Sequence, residues 1–224
     1  MAHFSVLGEA PVPGSVRRLR LLQRHQEFSI RIAGAPGELM NSRLHGSEDA
    51  LAKLACARLQ KPRAPHVLVG GLGMGFTLAA ALAVLDETAT VTVAELVPEV
   101  VAWNHGELGQ VSGYPLKDPR TRVHVGDVAA LIKTSRQAFD AILLDVDNGP
   151  EGLTRCDNDW LYSPAGLLAA QAALRPDGVL AYWSAGGDPS FTERLRSVGF
   201  LVDVVTVPAH RPGKGARHVI WLAW

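Results

Sequence analysis

Two spacings of apolar residues divide this chain. In the first 46 residues the apolar positions come in short alternating runs: Phe28, Ile30 and Ile32 are separated by Ser29 and Arg31, the period of a strand with one covered face. Val16–Leu22 and Glu38–Asn41 read as two further strands, with the turn Gly34-Ala35-Pro36-Gly37 ahead of the last one. Pro11, Pro13 and Gly14 predict an irregular start. Three short strands make a small antiparallel element over residues 1–46, too thin for a core of its own. It must pack on the rest of the chain or on another subunit.

From residue 47 the pattern changes. Ser47 reads as a helix N-cap, Glu48 and Asp49 suit the positive end of the helix dipole, and Leu51, Leu54, Ala55 and Leu59 form an apolar stripe at helical spacing. Unbroken apolar runs then alternate with helical segments. His66–Val69, Val91–Val93, Val123–Val125, Phe139–Leu144, Val179–Trp183, Phe200–Val207 and His218–Trp224 read as strands. Runs of this kind belong to strands covered on both faces, so residues 47–224 predict an α/β domain with a mainly parallel sheet.

The first of those strands runs straight into glycines, as HVLVGGLGMG (His66–Gly75), and the Ala- and Leu-rich helix Phe76–Leu85 follows. Strand, glycine turn and helix let a nucleotide approach the backbone closely, at the positive end of a helix. Gly71, Gly73 and Gly75 make a G-x-G-x-G, whereas the dinucleotide frame G-x-G-x-x-G would need a glycine at Phe76. A nicotinamide oxidoreductase is disfavoured on that spacing.

Two acids fall in register behind the turn. Glu95 ends the second strand, about 20 residues past Gly75, where an open α/β sheet places a carboxylate for ribose hydroxyls. Asp127 follows the third strand, where a carboxylate can accept from an adenine amino group.

The chain has 224 residues, 22 basic and 22 acidic, so no net field draws it to nucleic acid or an anionic membrane. Cys56 and Cys156 lack metal or redox spacing, and the histidines show no HExxH, so no metal site is expected. With no leader-like start and no bilayer-length apolar run, the expected location is the cytoplasm.

The glycine turn, Glu95, DPRTRVHVGD (Asp118–Asp127), FDAILLDV (Phe139–Val146), LRPDGVLAYW (Leu174–Trp183) and RHVIWLAW (Arg217–Trp224) together resemble the spermidine synthase family, within the class I methyltransferase-like fold. The resemblance covers the chain from Ser47 onward, and the small β-element matches that family's N-terminal domain. It implies a seven-stranded sheet whose last strand is antiparallel, and a pocket for S-adenosylmethionine or its decarboxylated form. Carried over by position, Gly71, Gly73 and Gly75 face the ligand's tail, Glu95 takes the ribose and Asp127 the adenine amine. Asp145 matches the first acid of the catalytic loop, where it would bind or deprotonate an amine nucleophile.

The family's second loop acid falls on Asn148, with Asp147 one position away as its substitute. Ala52-Lys53 stands near the family's Tyr-His pair, and Ala165-Gly166-Leu167 replaces a Glu-Phe-Tyr run. The nucleotide half therefore matches better than the amine half. The expected protein is a homodimeric transferase moving a methyl or aminopropyl group to a small acceptor. The alternative is a non-catalytic adenosyl-binding module acting as a sensor or assembly partner.

Overall fold

The computed structural model describes residues 4–60, 63–146, 159–209 and 215–224. The N-terminal element has four strands, one more than the alternation predicts. β1 (Ser5–Pro11), β2 (Arg18–Arg24), β3 (Glu27–Ile32) and β4 (Met40–Asn41) form an antiparallel sheet in that order. β1 escapes the sequence pattern because only Ala10 along it is buried. As an edge strand it also tolerates Pro11, which cannot donate to a ladder. Cross-strand ion pairs from Glu9 to Arg18 (3.3 Å) and Arg20 (2.6 Å) tie it to β2.

The rest alternates as expected: α1 (Gly46–Ala57), β5 (His66–Gly70), α2 (Phe76–Val84), β6 (Thr90–Glu95), α3 (Pro98–His105), β7 (Thr121–Val125), α4 (Val128–Thr134), β8 (Phe139–Leu144), α5 (Asp159–Tyr162), α6 (Pro164–Ala173), β9 (Leu174–Ser184), α7 (Pro189–Ser197), β10 (Val202–Pro208) and β11 (Arg217–Ala223). The seven strands of the main sheet run in the order β10-β11-β9-β8-β5-β6-β7. β11 is antiparallel to both its neighbours, and the remaining pairings β9-β8-β5-β6-β7 are parallel. This is the seven-stranded, mostly parallel sheet with an antiparallel last strand that the resemblance implies.

Apolar side chains cover both faces of the sheet. On one face Val67 and Val69 of β5 share a core with Leu51 of α1 and Leu78 of α2; Leu21, Phe28 and Ile30 of the small sheet join it. On the other, Leu68 and Ile142 pack with Ile132, Leu167 and Phe191 from α4, α6 and α7. The small sheet thus gains from the main domain the core it lacks. Gly8 of β1 lies so close to α3 that a Cβ there would sit 2.7 Å from Trp103 Nε1.

Two expected boundaries move. α1 begins at Gly46 with His45 in the cap position, so Ser47 lies inside the helix, with no exposed surface. The strand expected to start at Val179 starts at Leu174: β9 takes in Arg175-Pro176-Asp177-Gly178, and the register against β8 jumps from Phe139↔Leu174 to Ala141↔Val179. No helix of the described residues is long and apolar enough to cross a membrane.

Candidate active site

The chain leaves β5 toward β6 and β7, then returns to lay β8 on the other side of β5. Neighbouring crossovers diverge there, and an open α/β sheet forms a crevice at the carboxyl ends of its strands at such a point. The glycine turn after β5 and Asp145 after β8 face each other across it. Asp145 N–H donates to the carbonyl of Gly70, the last residue of β5, at 2.8 Å, so the sheet pairing continues one residue past the end of β8.

Gly71 has φ +88°, a left-handed conformation that side-chain-bearing residues rarely adopt, and a Cβ there would collide with the carbonyl oxygen of Asp145. Gly75, also left-handed at φ +83°, occupies the cap position of α2. The turn ends with Thr77 Oγ1, in the first turn of α2, donating to Asp145 Oδ2 at 2.6 Å.

Glu95 is the end residue of β6 and is only 8% exposed. Its Oε2 accepts the backbone N–H of Leu72 at 3.0 Å and of Gly73 at 3.4 Å, and its Oε1 accepts that of Val97 at 2.9 Å. Burial pushes its carboxyl above the ordinary range, and those backbone donors pull it back down. A carboxylate has about four acceptor positions, so hydroxyls can still be received there. Glu95 therefore braces the glycine turn, a duty its sequence position does not announce. Asp127 caps α4, with Oδ1 accepting Ala129 N–H at 2.8 Å.

Gly71, Gly73, Glu95, Asp127 and Asp145 line one cavity. Gly75 is not among its lining residues. Asp147 lies outside the described residues, as do Asn148, Glu151, Asp157 and the basic segment His210–Lys214. Leu19, Ile30, Leu39 and Met40 of the small sheet and its last connection close the cavity with an apolar wall.

Two cavity residues were not singled out for the site from the sequence. Trp183, near the end of β9, lines the cavity and its Nε1 has no hydrogen-bond acceptor among the described residues. Glu48 reads in the sequence as a helix-dipole residue, but the first turn of α1 carries it into the cavity. Burial, reinforced by the neighbouring charge of Asp145, pushes its carboxyl up to about 7. Burial also raises the carboxyl of Asp145, against the pull of the Thr77 hydroxyl. Two acids forced together out of water cannot both ionise freely, so they share protons and titrate as a pair.

Among the described residues the lining thus holds four carboxyl groups, Glu48, Glu95, Asp127 and Asp145, and no Lys, Arg or His. Such a surface favours a cationic ligand. Among the described residues there is no group of three or more His, Cys, Asp or Glu arranged to hold a metal ion.

A comparison with curated proteins finds no match. Among solved structures, the chain is similar to a spermidine synthase in complex with the transition-state analogue AdoDATO, with 18% identity, a TM-score of 0.72, and 97% of this chain and 71% of that chain covered. It is likewise similar to the spermidine synthase from Thermotoga maritima, with 17% identity, a TM-score of 0.72 and the same coverage. At these identities the likeness carries the fold. The model of the spermine/spermidine synthase domain matches residues 47–195, well over half of the chain. The protein therefore belongs to the spermine/spermidine synthase family.

Proposed function

We propose that the protein transfers the aminopropyl group of decarboxylated S-adenosylmethionine to an amine. The observation that carries this is the charge of the cavity at the switch point of the sheet: every ionisable side chain among its described lining residues is an acid. Decarboxylated S-adenosylmethionine presents a sulfonium and an ammonium and no carboxylate. S-adenosylmethionine adds a carboxylate, which would meet acids with no basic side chain among the described lining residues to pair it. The charge pattern thus favours the decarboxylated ligand over the methyl donor.

In this reading Gly71 and Gly73 let the ligand's tail approach the backbone, Glu95 accepts from the ribose and Asp127 from the adenine. Asp145, at the tip of β8, holds the positive charge of the incoming amine. The amine lone pair attacks the carbon beside the sulfonium. The carbon–sulfur bond breaks, and its electron pair stays on sulfur as the neutral thioether of methylthioadenosine. Catalysis comes mainly from holding the two reactants in line. The apolar wall of Leu19, Ile30 and Leu39 supports an acceptor whose amine sits on an apolar body.

Ala52-Lys53 and Ala165-Gly166-Leu167, where the family carries other residues, favour a second reading, a module that binds the adenosyl ligand without turnover. The test is methylthioadenosine formation, followed chromatographically, with decarboxylated S-adenosylmethionine and a panel of mono- and diamines. Release that depends on an amine supports transfer. Binding of the ligand with no release across the panel supports the module.

A further inference from the structure

The acceptor enters as an ammonium ion and must lose a proton before it can attack, and that proton must leave the cavity. Asp145 is poorly placed to pass it on: among the described residues its side-chain partner is the Thr77 hydroxyl alone. Glu48 has a different connection. Its Oε2 accepts from Ser47 Oγ at 2.6 Å, and the same Ser47 Oγ lies 2.8 Å from Nδ1 of His218. Ser47 is completely buried, while His218, near the start of β11, is half-buried. A line of three hydrogen-bonding groups thus runs from the cavity, through the first turn of α1, to an imidazole with access to water.

On the basis of the aminopropyl-transfer reading, we propose that Glu48 is the base that takes the acceptor's proton, and that Ser47 and His218 carry it out. The ammonium gives its proton to Glu48, freeing the lone pair for attack. Glu48 then returns a proton to Ser47 Oγ as Ser47 passes its own to His218 Nδ1. His218 releases one from Nε2 to water. One proton leaves for each group transferred, which is what the overall conversion of an ammonium and a sulfonium into an alkylated ammonium and a thioether requires.

The surroundings fit the task. Asp145, in the same cavity, and Asp49, next to Glu48 on α1, both disfavour the charged form of Glu48, and the Ser47 hydroxyl opposes them. Asp49 itself is held by His45 at 3.3 Å and Lys53 at 4.0 Å. Desolvation lowers the His218 imidazole, so it gives up a received proton readily. Its ring stands edge-on to Trp183, with centroids 4.7 Å apart, which fixes the ring plane. A base is most effective when it changes charge near the working pH.

The test uses the full chain and two near-isosteric variants. Glu48→Gln lowers kcat about 100-fold or more, the lower range for loss of a positioned base, while methylthioadenosine affinity stays within about twofold. Ser47→Ala lowers kcat by a smaller factor and moves the acid limb of its pH profile upward, because Glu48 loses the donor that favours its charged form. A serine that merely pinned α1 to β11 would lower thermal stability and leave that limb in place.

A second measurement needs no turnover. In carboxyl-carbon NMR, the resonance lost in Glu48→Gln titrates near neutrality in the wild type and at higher pH in Ser47→Ala. Absence of turnover with every amine would defeat the transferase reading while leaving this titration to decide whether the line exists. A Glu48 signal in the ordinary carboxylate range, indifferent to Ser47, overturns the relay. So does a Glu48→Gln enzyme as fast as wild type.

Discussion

The hydroxyl of Thr77 on α2 donates to Asp145 Oδ2 on the far side of the sheet's switch point, at 2.6 Å. That bond fixes the direction of a carboxyl group whose other oxygen has no hydrogen-bond partner among the described residues. Asp145→Asn keeps the shape and removes the charge. The expected result is a kcat lower by about 100-fold or more with methylthioadenosine affinity little changed, since the charge acts on the amine and not on the nucleoside. Thr77→Val deletes only the donor. Asp145 then becomes harder to ionise, and the acid limb of the kcat profile moves to higher pH. Steady-state rates between pH 5 and pH 9 check both.

Gly71 makes a sharper structural prediction. Gly71→Ala places a methyl group against the Asp145 carbonyl and keeps a left-handed φ of +88°. The backbone term alone costs about 1–2 kcal/mol, and relieving the contact separates the turn from β8. A lower melting temperature, together with loss of methylthioadenosine binding by calorimetry, is the expected result. A variant that binds and melts like wild type would show that the turn is free to move away from β8.

Glu95 braces the glycine turn and, in the proposed reading, receives the ribose, so its variants separate the two duties. Glu95→Gln keeps one oxygen for backbone N–H groups and replaces the other with a donor. Val97 N–H or the pair at Leu72 and Gly73 then meets an NH2 group. Leaving a buried donor unpaired costs about 1–3 kcal/mol. Adenosyl affinity is expected to fall by about tenfold or more, with a drop in melting temperature that a purely ligand-facing residue would not produce. Differential scanning calorimetry and ligand titration on the same samples distinguish the two effects.

The acids of the cavity also set how stability depends on pH. The folded-state pKa of Glu48 is raised from 4.5 to about 7, so between those values the folded chain holds a proton that the unfolded chain has released. Its contribution is fully present below the unfolded value and is lost as pH rises through the folded one. Glu48→Gln should therefore melt at a higher temperature than wild type at pH 8 and show little difference at pH 4. Asp86, Asp118 and Asp188, whose carboxyls are held below their ordinary values by hydrogen bonds, act oppositely: their stabilisation fades as the medium becomes acid. Thermal melts from about pH 2 to about pH 8 check both signs.

The central strands of the parallel sheet were easy to read because they are buried on both faces and write themselves as mainly apolar runs: all six residues of β8 are buried, Asp140 among them. β1 was hidden for the opposite reason, having a single buried side chain. Pro176, Asp177 and Gly178 misplaced the start of β9, because a register jump lets the strand take in these turn-forming residues. At the site, Glu95, Asp127 and Asp145 were legible because strand ends fall at fixed places in this kind of sheet. Glu48, Ser47 and His218 were not. A Ser-Glu pair at a helix start looks like capping, and nothing local reveals that the last strand brings a histidine 171 positions away against it.

The central claim is that the cavity is built for an adenosyl ligand that has lost its carboxylate. Isothermal calorimetry with decarboxylated S-adenosylmethionine, S-adenosylmethionine and methylthioadenosine, at one pH and ionic strength, tests it most directly. The account predicts that the decarboxylated ligand binds at least about tenfold more tightly than S-adenosylmethionine, a difference of about 1.4 kcal/mol. Equal or tighter binding of S-adenosylmethionine, or no binding of any adenosyl ligand, would contradict it.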